Sequence, residues 1–313
     1  MIHSHTIDVP HGIDAGTHIP ITTITGTHPG PVLALIAGNH GYEYPPILAL
    51  QKLRAHIDDG ELSGTLILVH VANMPSFLGR TVYFSPVDGK NLNRVYPGQS
   101  DGSVSQRIAY AITREVIEKA DYVLDLHCGD GNESLRPYVY QAVTGDAKMD
   151  AAVARLVLAF GIDHILVDRS RPKDPAQSLY CSTTAITRGK PAVTIESGLL
   201  GMSDVESVDR IVYGVRGVMR ELKMTTGGPP PVENPVYLEP SAVIVSPATG
   251  ILYPLVERDQ MVAKGTVLVR ITDFFGVDIA MVESPLAGKV LYVVATPPIV
   301  KGQPVACVGA VKQ

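Results

Sequence analysis

Cysteine and long apolar runs are both scarce in this chain. The 313 residues include three cysteines, Cys128, Cys181 and Cys307, which are widely spaced and odd in number. Such a set does not make a disulfide framework and is typical of a reducing compartment. No charged segment followed by an apolar one opens the chain, and no run reaches the ~18 apolar residues of a membrane span. We therefore expect a cytoplasmic protein without membrane contact.

Blocks of positive charge are missing as well. The chain has 26 Lys and Arg against 31 Asp and Glu, a formal net charge of −5. A nucleic-acid surface requires clustered basic residues, and the mild acidity here is too diffuse to indicate a macromolecular partner. We expect a small-molecule substrate and no nucleic acid, and the sequence leaves open whether the chain forms a homo-oligomer.

Three apolar runs rich in β-branched residues are each followed by polar side chains. The runs cover residues 32–37, 122–126 and 192–195, and they are typical of buried strands. In open α/β sheets, ligands bind at the carboxyl ends of the strands. The sequence therefore predicts that the polar side chains after these runs meet at one edge of a sheet.

Those polar side chains are the parts of a catalytic zinc site. Two histidines and one carboxylate leave a fourth zinc position for a water, whose pKa falls to about 7. We expect His40, Glu43 and His127 to hold one Zn²⁺ per chain. A further carboxylate must move the proton of that water, and Glu196 has small neighbours that leave room for a substrate. A lone His-x-x-Glu would indicate a solvated loop pair, but the matching strand ends favour the metal site.

Cys128 directly follows the predicted ligand His127. Side chains alternate between the two faces of a strand, so Cys128 is expected to point away from the metal. We interpret it as a buried structural thiol rather than a ligand or nucleophile.

A substrate clamp is predicted in the polar, turn-rich residues 88–98. Asn93 and Arg94 are adjacent there. An arginine fork binds a carboxylate through two parallel hydrogen bonds, which fits a substrate carboxylate.

Residues 30–200 resemble the succinylglutamate desuccinylase/aspartoacylase family, zinc-dependent deacylases related to the zinc carboxypeptidases. The family pattern is His-x-x-Glu, an Asp-Leu-Asn-Arg segment followed by an aromatic residue and Pro, Asp-Leu-His, and a late catalytic Glu. The matching positions here are His40 and Glu43, Asn91 to Arg94 followed by Tyr96 and Pro97, Asp125 to His127, and Glu196.

The resemblance implies hydrolysis of an N-acyl amide on an amino acid, with Asn93 and Arg94 binding the α-carboxylate. It also implies an upstream arginine that polarises the scissile carbonyl, for which Arg80 is the candidate. Asn91 replaces the acidic residue that usually opens the Asp-Leu-Asn-Arg segment. We expect this change to alter loop hydrogen bonding rather than chemistry.

A second departure concerns the substrate's side chain. Residues 180–185 resemble the segment in which aspartoacylases carry an arginine for a side-chain carboxylate, and Ala185 stands in its place. This disfavours a substrate of the acetylaspartate type, unless Arg169, Arg171 or Arg188 compensates from nearby.

The organisation of the chain predicts an α/β fold followed by a small all-β domain. Helical patterning over residues 45–56, 103–119, 147–160 and 205–223 alternates with the strands, which favours a mainly parallel sheet covered on both faces. The resemblance implies that this sheet is of the zinc-carboxypeptidase type. We assign residues 1–226 to the hydrolase domain, 227–240 to a Pro- and Gly-rich linker, and 241–313 to the small β domain.

The small β domain contains a weak internal repeat. Residues 246–252 with 262–266 resemble residues 284–291 with 300–303, which predicts two related β units in one sandwich or barrel. The region resembles a biotinyl/lipoyl domain, but residues 275–282, where the carrier lysine would lie, contain no lysine. We expect a structural role, which shapes the active-site mouth, limits access to small substrates or forms subunit contacts.

These observations favour a zinc-dependent amidohydrolase that releases the acyl group from a small N-acyl amino acid. A zinc metallocarboxypeptidase acting on short peptides would share the metal, the glutamate and the arginine. A catalytically silent binding protein could use the same clamp, although it would have no chemical need for Glu196. The sequence does not identify the acyl group or the amino acid.

Overall fold

The computed structural model describes residues 1–312. The strands of this part of the chain are β1 (Ile2–Val9), β2 (Thr17–Thr25), β3 (His28–Ala37), β4 (Ser63–Val69), β5 (Tyr122–His127), β6 (Glu133–Leu135), β7 (Tyr138–Ala142), β8 (His164–Asp168), β9 (Ala192–Glu196), β10 (Val236–Val245), β11 (Gly250–Pro254), β12 (Met261–Val262), β13 (Val267–Thr272), β14 (Asp278–Glu283), β15 (Gly288–Val294), β16 (Pro298–Ile299) and β17 (Pro304–Val311). The α-helices are α1 (Tyr44–His56), α2 (Met74–Gly79), α3 (Val104–Ile112), α4 (Ala147–Phe160), α5 (Cys181–Ile186) and α6 (Val205–Glu221).

One long mixed sheet runs through the molecule. Its strand order is β1-β2-β4-β3-β5-β9-β7-β8-β10-β17-β15-β12, with β6 paired to β15. Strands β4, β3, β5 and β9 are parallel to one another, whereas β7 is antiparallel to β9 and is followed by the parallel strands β8 and β10. The predicted parallel sheet is therefore confirmed at the centre, and the outer strands make the whole sheet mixed.

Helices cover both faces of the central strands. Alternate residues of β3 face opposite sides: Leu33 and Leu35 pack in a core with α1, α4 and α6, while Ala34 and Ile36 pack with α3 and α5. Burial on both faces explains why the central strands are almost continuously apolar in sequence.

The four helices predicted from the sequence are present. Three of them lie within two residues of the predicted bounds. The predicted helix at residues 103–119 is an α-helix only over Val104–Ile112 and continues as a π-helical turn over Thr113–Ile117. No described helix combines the length and apolarity needed to cross a membrane.

The C-terminal strands are joined directly to the main sheet. Val236 to Leu238 pair in parallel with His164 to Leu166, so the end of the predicted linker lies inside β10. Pro235 and Pro240 lie outside the three pairs with β8, so the prolines do not interrupt this backbone pairing. The Pro-rich connection before β10 is thus shorter than the predicted residues 227–240.

The predicted internal repeat has a structural counterpart in paired turns. The backbone of Ser246 exchanges two hydrogen bonds with Gly302 and Gln303, and the backbone of Ser284 exchanges two with Gly265 and Thr266. Each Ser-Pro turn therefore binds the Lys-Gly turn of the other unit. This exchange makes the two units interdependent, as a shared barrel-sandwich requires.

We expect Gly217→Ala to destabilise the fold. A Cβ at this position of α6 would lie 2.1 Å from the carbonyl oxygen of Ala159 in α4, so the two helices would have to move apart. The cost should be about 1–3 kcal/mol, seen as a lower melting temperature by circular dichroism. Gly228→Ala is the matched control, because nothing lies within 4 Å of its added Cβ. Equal melting temperatures for the two variants would contradict this packing.

Candidate active site

The site is built at the carboxyl ends of three adjacent parallel strands. Residue pairing aligns Ala37 with Leu126, and His127 with Glu196. After β3 the chain turns through Gly38, whose φ of +72° suits glycine, and then presents His40. The sequence prediction that these strand ends meet is confirmed.

His40, Glu43 and His127 form a buried group that can hold a metal ion. One possible ligand atom from each lies within 4.8 Å of the others. The Nδ1 atom of His40 lies 2.8 Å from a Glu43 carboxylate oxygen, and the Nδ1 atom of His127 lies 2.9 Å from the other. Both imidazoles thus direct the same nitrogen towards one carboxylate, an arrangement that suits a tetrahedral ion with an open position.

Polar partners orient the two imidazole rings from behind. Asp125 Oδ1 lies 2.9 Å from His127 Nε2 and also accepts a hydrogen bond from Asn39. Asn91 Oδ1 lies 3.1 Å from His40 Nε2. With Nε2–H donated to these oxygens, each Nδ1 lone pair is free for a metal. Asn91, treated above as a change in loop bonding, therefore contacts a predicted ligand.

The pKa values of Glu43 and the two histidines depend on one another. Burial by itself would raise the pKa of Glu43, but the adjacent His127 and His40 outweigh it and hold that pKa at about 2. Burial lowers the pKa of His127, yet Asp125 and Glu43 raise it well above the ordinary value. A cation is therefore favoured between these side chains, whether it is a proton or a metal ion.

A cavity of about 360 Å³ opens beside this group. Its walls come from both parts of the chain. The N-terminal part contributes His40, Glu43, Tyr83, Phe84, Asn91, Arg94, Cys128, Asp130, Glu133, Tyr138, Tyr140 and Glu196, and the C-terminal strands and turns contribute Val243, Tyr292, Gly302, Gln303 and Pro304. The C-terminal part thus forms one side of the cavity.

Glu196 ends β9 and lines this cavity. Burial raises its pKa well above the ordinary value, although nearby His127 acts in the opposite direction. Among residues 1–312 its carboxylate makes no hydrogen bond to another side chain or to the backbone. It is thus free to exchange a proton with a molecule in the cavity.

The two residues of the predicted clamp lie in different environments. Arg94 is exposed, lines the cavity and stacks over the ring of Tyr180 at 4.8 Å. Asn93 is buried, with Nδ2 3.2 Å from His127 Nε2 and Oδ1 accepting a hydrogen bond from the backbone N–H of Cys181. Asn93 therefore packs against His127 and holds the start of α5, while Arg94 faces the cavity.

Arg80 lies outside the cavity. It caps the end of α2 with a left-handed φ of 51° and lines a separate groove with Tyr42, Tyr44 and Phe77. Because the chain reverses at this cap, Tyr83 rather than Arg80 enters the cavity wall. The structure does not bring Arg80 to the predicted carbonyl position.

The three arginines that were considered as compensation for Ala185 also lie elsewhere. Arg169 binds Glu239, and Arg188 binds the carbonyl oxygens of Pro175 and Thr184. Arg171 binds Asp168 and stacks on the rings of two tyrosines. None of the three lines the cavity, and Ala185 itself is buried in the core.

Sequence reasoning missed Tyr83, Asp130 and Glu133 in the cavity wall. The Tyr83 hydroxyl donates to Glu133 Oε1 at 2.6 Å, and the Tyr83 backbone N–H donates to Asp130 Oδ2 at 2.9 Å. The available signal was that Asp130 and Glu133 lie in the loop and short strand directly after β5, the strand that ends in His127.

Comparison with known proteins identifies the chain's relatives. A model of the succinylglutamate desuccinylase/aspartoacylase catalytic domain matches residues 29–222. The N-alpha-acetyl-L-2,4-diaminobutyric acid deacetylase of Halomonas elongata is 34% identical over 271 residues, which make up 85% of this chain and 77% of that protein.

Solved structures show the same fold. A succinylglutamate desuccinylase/aspartoacylase from Rhodobacter sphaeroides matches with a TM-score of 0.86 at 23% identity, covering 100% of this chain and 96% of that one. The product-bound ectoine utilization protein EutE (DoeB) from Ruegeria pomeroyi matches with a TM-score of 0.86 at 27% identity, covering 99% and 95%.

The shared fold and the His-Glu-His group place the chain among the α/β deacylases. The family model covers more than half of the chain, and the relative from Halomonas elongata matches most of it. The chain belongs to the succinylglutamate desuccinylase/aspartoacylase family, which confirms the resemblance seen in its motifs.

We expect Asp125→Asn to weaken zinc binding by about ten- to hundredfold. The buried carboxylate holds the His127 ring, and its replacement by a neutral amide makes the imidazole a less basic and less fixed ligand. Competition with a chromophoric chelator would measure the dissociation constant. Asp101→Asn, at an exposed position, is the control. Unchanged affinity in Asp125→Asn would mean that Asp125 does not tune the ligand.

The three cysteines should resist thiol reagents in the native protein. Burial raises the pKa of Cys128 and Cys181 well above the ordinary value, and raises that of Cys307 to about 12. Since the thiolate is the reactive form, it accumulates only as the pH rises towards these values. Titration with a chromogenic disulfide at pH 8 should detect almost no thiol in the native protein and three after denaturation. One fast-reacting thiol in the native protein would contradict the protection that burial gives to all three cysteines.

Proposed function

We propose that this protein is a zinc-dependent deacylase that hydrolyses the amide of a small N-acyl amino acid. The observation that carries the proposal is that His40, Glu43 and His127 form one group and that a second, uncommitted carboxylate, Glu196, lines the cavity beside it. A binding protein needs no proton carrier beside a metal group, whereas amide hydrolysis does.

The donor set fits zinc. Two imidazole nitrogens and one carboxylate converge, and side chains behind both rings leave each Nδ1 free to bind. A zinc ion held by His40, Glu43 and His127 would supply Lewis-acid chemistry, polarising a carbonyl and lowering the pKa of water to about 7.

Glu196 is the proton carrier in this proposal. It takes the proton from the attacking water and delivers it to the amine that leaves when the C–N bond breaks. Its raised pKa suits the protonation of the leaving amine, because a carboxyl with a raised pKa keeps its proton until the amine accepts it.

Arg94 would bind the substrate's α-carboxylate at the cavity mouth. Its guanidinium is held by a hydrogen bond to the Asn93 carbonyl oxygen at 2.7 Å and by the Tyr180 ring, so little freedom is lost on binding. We assign Asn93 to holding the start of α5 beside His127 rather than to direct substrate contact. Arg80 has no part in this mechanism, because it faces a different groove.

The geometry favours a deacylase over a carboxypeptidase. Turn residues Gly302, Gln303 and Pro304 close one side of the cavity, whose volume of about 360 Å³ suits a small ligand. Purified protein with zinc supplied should release free amino acid from a panel of N-acyl amino acids, including Nα-acetyl-L-2,4-diaminobutyrate, the compound named for the Halomonas elongata relative. Cleavage of short peptides alone would favour the carboxypeptidase instead.

Glu196→Gln should lower turnover by about 10²- to 10⁴-fold while zinc stays bound, because only the proton carrier is lost. His127→Ala should lose both zinc and activity. Elemental analysis and release of free amine from the same samples would measure the two properties, with exposed Glu233→Gln as the control. Full activity of Glu196→Gln with zinc in place would refute the role of Glu196.

A further inference from the structure

Three stacking contacts connect Arg94, the proposed carboxylate clamp, to Arg171, which lies outside the cavity. The guanidinium carbon of Arg94 lies 4.8 Å from the centre of the Tyr180 ring, and that of Arg171 lies 4.6 Å from the same centre. The Arg171 guanidinium carbon also lies 4.9 Å from the centre of the Tyr140 ring. Arg94 and Arg171 therefore share one tyrosine ring, although only Arg94 lines the cavity.

The two arginines differ in how firmly they are held. Arg171 Nε donates a hydrogen bond to Asp168 Oδ2 at 2.6 Å, and only 15% of its side chain is exposed. Asp168 ends β8, so Arg171 is fixed to the main sheet. Arg94 is exposed, and within residues 1–312 its guanidinium hydrogen-bonds only to the Asn93 carbonyl oxygen. Its charge is thus available to a substrate carboxylate, while its direction depends on the Tyr180 ring.

The Tyr180 ring needs a contact that fixes its rotation. Tyr180 is the residue before α5, and the backbone N–H of Cys181 donates to Asn93 Oδ1 at 2.8 Å. This hydrogen bond places the backbone at the start of α5 beside Asn93, but it leaves the torsions of the tyrosine side chain free. A guanidinium is attracted to the face of an aromatic ring. Arg171 is held by Asp168 and can therefore fix the ring against which Arg94 stacks.

The ion pair with Asp168 by itself would give Arg171 a purely local role, which is to hold residues 168–171 together. A lysine could supply that ion pair, since it needs only a positive charge. A lysine could not stack in the same way, because an ammonium group lacks the planar, delocalised surface of a guanidinium. The contacts with Tyr140 and Tyr180 therefore give Arg171 a role that lysine does not replace.

We infer that Arg171 is a positioning residue for substrate binding, which acts through the Tyr180 ring to hold Arg94 in the direction that binds the substrate's α-carboxylate. This inference rests on the proposed deacylase function and adds a residue to its binding step. Neither Arg171 nor Tyr180 lines the cavity, so neither contacts the substrate. The expected effect of Arg171 is therefore on KM, whereas kcat depends on the metal group and Glu196.

A substrate with and without its carboxylate tests the inference. The zinc-loaded full-length protein would be assayed with Nα-acetyl-L-2,4-diaminobutyrate, or with the N-acyl amino acid that is hydrolysed fastest, and with the α-carboxamide of the same compound. Arg171→Met should raise KM for the carboxylate about three- to tenfold, the cost of ordering one long side chain on binding, and keep kcat within about twofold. KM for the carboxamide should change by less than about twofold, because Arg94 has no carboxylate to bind. Arg169→Met, which removes the same charge from a residue that binds Glu239, should keep the wild-type KM.

Two further variants separate stacking from general destabilisation. Arg171→Met should change KM by less than about twofold when Arg94 is already replaced by alanine, because the side chain that Arg171 positions is then absent. Arg171→Lys keeps the ion pair with Asp168 and should raise KM as Arg171→Met does. A wild-type KM in Arg171→Lys, equal losses for the carboxylate and the carboxamide, or the same loss in the Arg94→Ala background would overturn the inference.

Crystallography separates the inference from the deacylase function. The zinc-loaded wild-type protein should hold Arg94 and Tyr180 in one conformer each, and Arg171→Met should show them in several. Arg171→Lys serves for both measurements if the melting temperature of Arg171→Met shows that this variant does not fold. Unchanged conformers of Arg94 and Tyr180 in the variant would overturn the inference. Failure to hydrolyse any N-acyl amino acid would refute the deacylase, and the crystal structures would still decide whether Arg171 positions Arg94.

Discussion

The pairing of β5 with β9 is the constraint on which the site depends. It places His127 beside Glu196, so a metal ligand and the proposed proton carrier end neighbouring strands. A shift of one residue in this pairing would turn each side chain of the moved strand to the opposite face of the sheet. Apolar packing on both faces prevents that shift, because Leu126 and Ile195 pack in the core on one face and Val123 and Ala192 pack in the core on the other. The hydrophobic core thus sets the chemistry as well as the stability.

Charge is the second organising element. The cavity brings together Glu43, Asp130, Glu133 and Glu196, and each carboxylate needs a different partner. Glu43 has two imidazoles, Asp130 has two backbone N–H groups, and Glu133 has a phenol. Such partners stabilise the carboxylates without neutralising all of them. The remaining negative charge is available to a metal ion.

The sequence predicted the parts of the site that depend on strand ends. His40, Glu43, His127 and Glu196 follow apolar runs, and periodicity is enough to place such runs in a buried sheet. It could not place Arg80 and Asn93, because their positions depend on the left-handed cap after α2 and on contacts with α5. Tyr83 was missed for the same reason. Its entry into the cavity requires a positive φ, and a tyrosine in the sequence does not predict that conformation. The C-terminal strands join the main sheet because β10 pairs with β8, which is distant in sequence. A local sequence pattern does not predict such pairing.

The order in which the cavity wall appears along the chain has a consequence for biosynthesis. His40, Glu43, His127 and Glu196 all precede residue 200, whereas Tyr292 and the turn at residues 302–304 complete the cavity wall. During translation these four residues therefore leave the ribosome before the residues that complete the wall.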